Sequence, residues 1–524
     1  MELQVREVHQ INQKSEANTQ ITFDEDYNVP DAKPDVGRMI QKKGEIVLGE
    51  AQVSEGRVRL TGKMIFHLLY VGDAEEKHIY SMDGELPLDE SLNLDGLGSG
   101  DKVCIKWDME DLNIHLINSR KLNIRGVVSF TAESCDAKSI RIPIDISAAN
   151  ETAGTKVSVQ KKEVDLLELK VHKKDTLRIR KELTLASNKP SIHTVLWKDI
   201  QIRALDIRCG EEYVDAKGEL FVFVLYAGDD EDHPLQYLEQ AVPWQQKVEC
   251  GGCSMAMIPN IDVTMMQGNL EVTPDLDGEE RVLQLDVVLE LDMKLYQEHN
   301  MEILTDVYHP GRVLIPQTEE QQLSTLLVKN NSKCRVIDKV PVPEGTNRVL
   351  QICHSEGNAK IDHCQIVKDK IRVEGIVELR ILYIISDDEM PFYSMETAVP
   401  FTHLVEAPDI TPGCRYYLQS DIEQLSTTMI DSSDIEIKAL IAVNALVLKL
   451  WNEPLIQSVA EEMIDSEEME NLPGIVCYLV QDGDTMWEIA KRFRTTVGEI
   501  QALNEEVREP LPSGTALLLV KKVE

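Results

Sequence analysis

The sequence predicts a mainly β protein: three tandem β-sandwich-like repeat domains, then a small α+β module of strand-helix-helix-strand (βααβ) order. Three observations predict it. One block of sequence occurs three times, at a period of 156 and then 157 residues. Within each copy, apolar and polar residues alternate at period two, the pattern of strands with one buried face. Beyond the last copy the pattern changes to two short capped helices flanked by apolar strands.

The first copy reads Val58-Arg-Leu-Thr-Gly62-Lys-Met-Ile-Phe-His-Leu-Leu-Tyr70, the second Val214 to Tyr226 around Gly218, and the third Ile371 to Tyr383 around Gly375. Gly to Tyr is eight residues in all three, and Tyr to a later proline (Pro87, Pro243, Pro400) is seventeen. Two fixed spacings kept three times imply one strand register. The glycine marks a bulge or a close backbone approach. The tyrosine is expected at a strand end, with its ring packed and its hydroxyl in water. Downstream, Leu122–Phe130, Leu283–Leu291 and Ile435–Val443 form a second matching strand, and upstream Lys33-Pro34 parallels Lys189-Pro190. Each copy is long enough to bury its own core, so the repeats are expected to fold separately, over residues 1–155, 165–312 and 325–457. Residues 458–473 are acid after acid with no base. They read as an extended linker, with a short helix around Ala460 to Ile464 as an alternative.

Residues 474–524 form the last domain. Val476 to Val480 is a strand and Asp482-Gly483 a turn. Thr485-x-x-Glu488 and Thr496-x-x-Glu499 are capping boxes that open two helices. Met486 with Ala490, Ile489 with Phe493, and Ile500 with Leu503 should face inward, and Trp487 should fill the core. Leu517 to Val520 closes the sheet. The Gly483-Asp484-Thr485 turn, the Trp487-x-Ile489-Ala490 helix and the closing Leu503-Asn504 resemble a LysM domain over about a tenth of the chain. The resemblance implies binding of N-acetylglucosamine polymers in a shallow groove between the 483–486 loop and the loop from Asn504 to Pro512. Gly483, Asp484, Thr485, Met486, Asn504 and Leu511 are the implied glycan- or partner-binding residues. The family commonly has proline after the asparagine. Here Glu505, Glu506 and Glu509 make the second loop acidic.

The formal net charge is -37, with 43% hydrophobic and 28% charged residues. This is the composition of folded globular protein, with a field that repels nucleic acid and anionic lipid. Met1 to His9 lacks the apolar core of a secretory signal, and no apolar run reaches membrane-span length, so a cytosolic chain is expected. The ten cysteines should then be thiols.

No motif that activates a nucleophile or water is present, so no enzyme, catalytic residue, cofactor or metal is expected. Cys250-Gly-Gly-Cys253 lacks the second CxxC of a zinc ribbon. Its counterparts are Leu94 and Leu97, then Ala407 and Ile410, which reads as apolar packing. Cys353-His354 and His363-Cys364 carry zinc-ligand chemistry around an expected hairpin, but apolar residues stand at the cysteine positions of the other repeats. Acids follow each repeat tyrosine (Asp73; Asp229 to Asp232; Asp387 to Glu389) in expected solvated turns.

Three Gly-x7-Tyr-x16-Pro domains and a terminal LysM domain together resemble the SipL-type coat morphogenetic proteins of spore-forming Firmicutes. The resemblance implies a non-catalytic adaptor, made in the mother-cell cytosol and anchored at the forespore surface, in the spore coat. Its LysM domain would dock on the coat basement-layer ATPase and could also take peptidoglycan. A peptidoglycan-targeted cell-wall hydrolase or a glycan-binding envelope protein is the alternative.

Overall fold

The computed structural model describes residues 1–74, 78–147, 156–229, 234–343, 348–387, 391–431, 433–462 and 473–520. Repeat one contains β1 (Glu2–Asn28), β2 (Val36–Leu48), β3 (Gln52–Ser54), β4 (Arg57–Gly72), β5 (Ile79–Asn93), β6 (Val103–Asn118) and β7 (Lys121–Ser147). Repeat two contains β8 (Ser158–Thr184), β9 (Ile192–Cys209), β10 (Tyr213–Gly228), β11 (Leu235–Glu249), β12 (Ile258–Pro274) and β13 (Glu280–Tyr308). Repeat three contains β14 (Val313–Pro341), β15 (Val349–Val367), β16 (Lys370–Ile385), β17 (Phe392–Glu406), β18 (Arg415–Met429) and β19 (Asp434–Glu462). Each repeat is two antiparallel sheets face to face. Their strand orders are β2-β4-β5, with the short β3 also paired to β4, and β1-β7-β6 in repeat one, β9-β10-β11 with β8-β13-β12 in repeat two, and β15-β16-β17 with β14-β19-β18 in repeat three. The mainly β reading therefore holds. β19 continues through Ser458 to Glu462, so the start of the acidic stretch is strand rather than linker or helix; residues 463–472 lie outside the described residues.

Gly62, Gly218 and Gly375 are each the sixth residue of the central strand. A Cβ at Gly62 would lie 2.3 Å from the Val47 carbonyl oxygen, and one at Gly375 2.1 Å from that of Lys360. At Gly218 the nearest atom, the Arg203 carbonyl oxygen, is 3.2 Å away. The glycine thus admits a close backbone approach from the neighbouring strand. Gly62→Ala and Gly375→Ala should each cost about 1–3 kcal/mol as overpacking, and Gly218→Ala should cost less. Urea midpoints of the three single variants check this order.

The repeat tyrosines depart from expectation. Tyr70, Tyr226 and Tyr383 are fully buried. The hydroxyl of Tyr70 donates to the Pro34 carbonyl at 3.0 Å, and that of Tyr226 to the Pro190 carbonyl at 3.3 Å. The hydroxyls are therefore not in water: in two repeats they tie the end of the central strand to the Lys-Pro segment. Pro87, Pro243 and Pro400 lie on β5, β11 and β17, outer strands of their sheets, where a missing N–H is tolerated.

The repeats, read from sequence as separate domains, also pack on one another. Each repeat has its own interior, but further apolar clusters draw on all three. Ile40, Leu69 and Val71 pack with Trp197, Phe223 and Leu225 and with Cys353, Leu382 and Phe392. Val8, Ile140 and Ile142 pack with Leu166 and Ile303 and with Leu323 and Leu455. The first cluster joins the β2-β4-β5-type sheets. The second joins the paired ends of β1/β7, β8/β13 and β14/β19, three long antiparallel strand pairs gathered into a column. Polar layers repeat the pattern. Lys43, Asp199 and Glu356 stand one repeat period apart and meet, with Lys43 Nζ 2.9 Å from Asp199 and 3.0 Å from Glu356. Lys106, Asp262 and Gln419 are equivalent in the same way. Asp262 accepts from Gln419 and lies 3.5 Å from Lys106. Equivalent positions meeting at one place describe an approximate three-fold axis, so the repeats form one ring-shaped body.

Candidate functional site

The C-terminal module pairs β20 (Ile475–Leu479) with β21 (Ala516–Val520) and places α1 (Met486–Arg492) and α2 (Val497–Leu503) between them in the chain. Both capping boxes form. Thr485 Oγ1 accepts the Glu488 amide and Thr496 Oγ1 the Glu499 amide, each at 3.2 Å, and the two glutamates reach back to the cap amides. Val480, Ile489, Ala490, Ile500, Leu517 and Leu519 form the interior. Leu503, expected inside, is exposed.

The two loops implied as groove walls do meet. Gly483 has φ +87°, a left-handed turn conformation that glycine accepts without strain. Asp484 then folds back, its Oδ2 accepting the Tyr478 hydroxyl at 2.7 Å and the Gln481 amide at 2.8 Å. The Gln481 amide first, then the Tyr478 hydroxyl, hold the Asp484 carboxyl below its ordinary pKa. Thr485 is spent on the helix cap. Met486 points its side chain into the core, while its amide donates to Glu509 Oε1 of the opposite loop at 2.7 Å. Asn504 lies between α2 and β21. Its Nδ2 donates to the Ile500 and Leu518 carbonyls at 2.8 and 2.9 Å, and its Oδ1 accepts the Leu518 amide at 2.8 Å. Leu511 packs against the module interior. Of the six residues named from the resemblance, Asp484, Thr485 and Asn504 use side-chain atoms in hydrogen bonds within the module. Gly483, Asp484, Thr485 and Asn504 shape the loops, and Met486 and Leu511 fill beneath them. Glu505 and Glu506 remain exposed on the rim.

Trp487 departs most from expectation. It is half-buried, and it looks away from the loops onto repeat two. Its indole Nε1 donates to Asp306 at 2.8 Å, and its ring meets Tyr308 edge-on at 4.7 Å. Lys491, one helical turn on, donates to both Asp306 oxygens at 2.8 Å. The i, i+4 spacing of Trp487 and Lys491 puts both on one face of α1, and Tyr308 joins the module's own apolar cluster. The module is therefore docked on the end of β13. Sequence reasoning could not find this contact, because neither side carries a local signal of it. Asp306→Ala removes both polar contacts and should raise the mobility of the module without unfolding it. Backbone ¹⁵N relaxation of residues 475–520 in the full-length protein is the check; unchanged order would show that Tyr308 packing alone suffices.

The remaining candidates are structural. Cys250 and Cys253 are buried, and the Cys253 amide donates to the Cys250 carbonyl at 3.0 Å. Leu94/Leu97 and Ala407/Ile410 make the same turn. Burial first pushes the Cys253 thiol up to about 11, away from nucleophilic or metal-binding chemistry. The expected hairpin around Cys353-His354 and His363-Cys364 is absent. All four residues lie on the single strand β15, so the pairs sit roughly 30 Å apart at strand rise. Among the described residues no group of His, Cys, Asp or Glu could hold a metal ion. The acidic loops after the tyrosines lie partly outside the described residues.

Family models agree with this architecture. The SipL, SPOCS domain matches residues 35–117, 191–273 and 348–430. The LysM domain matches residues 478–518. Searches of curated proteins and of solved structures found no match. These are binding domains rather than catalytic ones, LysM indicating peptidoglycan or glycan binding and the SipL domains a sporulation-related role. Among the described residues no helix is long and apolar enough to cross a membrane. With three SipL domains in a ring and a LysM domain docked at its column, the chain is a SipL-like protein.

Proposed function

We propose that this protein is a non-catalytic adaptor of spore-envelope assembly, made in the mother-cell cytosol and anchored at the forespore surface through its LysM module. The module docks mainly on protein, a basement-layer coat protein of the morphogenetic-ATPase class, with N-acetylglucosamine-containing peptidoglycan as a weaker ligand. The observation that carries this reading is the outer face of the module's sheet. Ile475, Cys477 and Leu479 of β20 alternate outward beside Val520, Leu518 and Ala516 of β21. Ile475 is 68% exposed and Leu479 61%. A contiguous apolar face on a small domain is the mark of a protein-contact surface. The groove supports the same preference. Glu509 occupies the Met486 amide, and the acidic rim suits a basic partner better than an anionic wall polymer.

The test is a fluorescent fusion in sporulating cells. Deleting residues 474–524 should abolish forespore localisation, and unchanged localisation would transfer targeting to the ring. The same reading expects no release of muropeptides from purified cortex by the pure protein.

A further inference from the structure

His354 is a titratable side chain buried across a seam between repeats, with an acid at each ring nitrogen. It extends from β15 of repeat three into repeat two and is 2% exposed. Its Nε2 lies 3.1 Å from Asp199 Oδ2 and its Nδ1 3.0 Å from Glu239 Oε2. The ring stacks on Phe223 at 4.0 Å. A neutral imidazole has one N–H, and would turn its other nitrogen's lone pair toward a carboxylate oxygen. Only the imidazolium donates to both. We infer that His354 is the bolt of the ring, an imidazolium from repeat three held between two carboxylates of repeat two, and that loss of its proton unlocks this seam alone.

The other two seams explain why one opens. One period away, the His354 position is Gln41 in repeat one and Trp197 in repeat two, both buried. A carboxamide and an indole keep their state across the ordinary pH range, so those seams carry no such bolt. The charged and titratable groups around the imidazole come from every element packed on it. β9 supplies Asp199 and Arg203, β11 supplies Glu239 and Tyr237, β2 supplies Lys43, and Glu356 and Arg380 lie on the repeat-three side. Burial alone would lower the His354 pKa. Its hydrogen bonds to Asp199 and Glu239 reverse that and raise it above the ordinary value. A folded-state pKa above the unfolded one of about 6.5 gives stability that is complete below that value. It is lost as pH rises through the folded value.

The test uses the full-length protein with ¹⁵N-labelled histidine rings, the His354 signals being those absent from His354→Gln. Both ring nitrogens should be protonated at pH 7, with a midpoint above that of the exposed histidines. In thermal melts from pH 6 to pH 9, the wild-type midpoint should fall by several degrees more than that of His354→Gln. The comparison between variants removes the contribution of the buried thiols. A neutral ring at pH 7, or equal slopes in the two proteins, overturns the inference. If His354→Gln does not fold, the wild-type titration decides, the His354 ring, the buried one among the described histidines, being identified by protection from solvent exchange.

Discussion

Lys43→Met should be among the most destabilising single substitutions in the ring, by about 3–5 kcal/mol, the usual cost of breaking a buried ion pair from one side. Lys43 is the sole cation among the three equivalent residues on the axis, and Asp199 beside it has a fully buried side chain. Burial opposes the Lys43 charge, but Asp199 and Glu356 more than reverse this and hold its pKa above the ordinary value. Burial would likewise raise Asp199, yet Lys43 and His354 hold it well below. Removing the ammonium leaves Asp199 with His354 and Glu356 with Arg380, 2.7 Å away, and forces two carboxylates together at the axis. The cost is therefore repulsion as much as lost attraction. The triple variant Lys43→Met, Asp199→Asn, Glu356→Gln should recover part of the stability, since neutral groups of the same shape repel no longer. Denaturant midpoints of the single and triple variants decide. A triple variant less stable than the single would show that the charges contribute net stability instead of setting which repeat sits where.

Asn504→Ala should unfold the LysM module, although the family resemblance marks Asn504 as a groove residue. Its carboxamide makes three hydrogen bonds that join α2 to β21. At about 1 kcal/mol each, their loss is roughly 3 kcal/mol, comparable to the whole stability that a core of this size supplies. The expected result is rapid hydrogen exchange over residues 475–480 and 516–520 in the full-length protein, with the ring unchanged. Lost partner binding in this variant would then report an unfolded module and not a lost contact. Trp487→Ala should behave in the opposite way. Its ring lies between the module and Tyr308, so the substitution should weaken docking on β13 more than it weakens the module's fold.

The module was legible because its determinants are local. A glycine turn, two capping boxes and an i, i+4 apolar face specify it within a few residues of each other. The sandwich class was legible for the same reason, through the fixed glycine and the period-two alternation. The ring was not, because alternation reports a strand's nearer packing partner and stays silent about a second one. One signal was nevertheless present. Leu68-Leu69-Tyr70-Val71, Phe221 to Ala227 and Ile381 to Ile385 are unbroken apolar runs, and such runs mark strands buried on both faces. Tyr70 and Leu68 face the repeat's own interior, while Leu69 and Val71 face the other repeats. Lys, Asp and Glu at a single aligned position were equally visible, but only the fold makes them touch. The groove loops were legible along the chain, and the structure adds the hydrogen bonds that shape them. A family motif states which residues stand at a site, whereas hydrogen bonding states which of them are already occupied.

The length of β19 has a mechanical consequence. The chain leaves the ring toward the LysM module from the end of this strand, which is paired with β14 on one side and β18 on the other. Its ladder bonds run perpendicular to the strand. A pull on an anchored module therefore loads many of them side by side, in shear, and they must yield together instead of peeling one after another. On the proposed anchoring role, a layer built on such proteins would transmit traction from its anchor to its interior with little stretch.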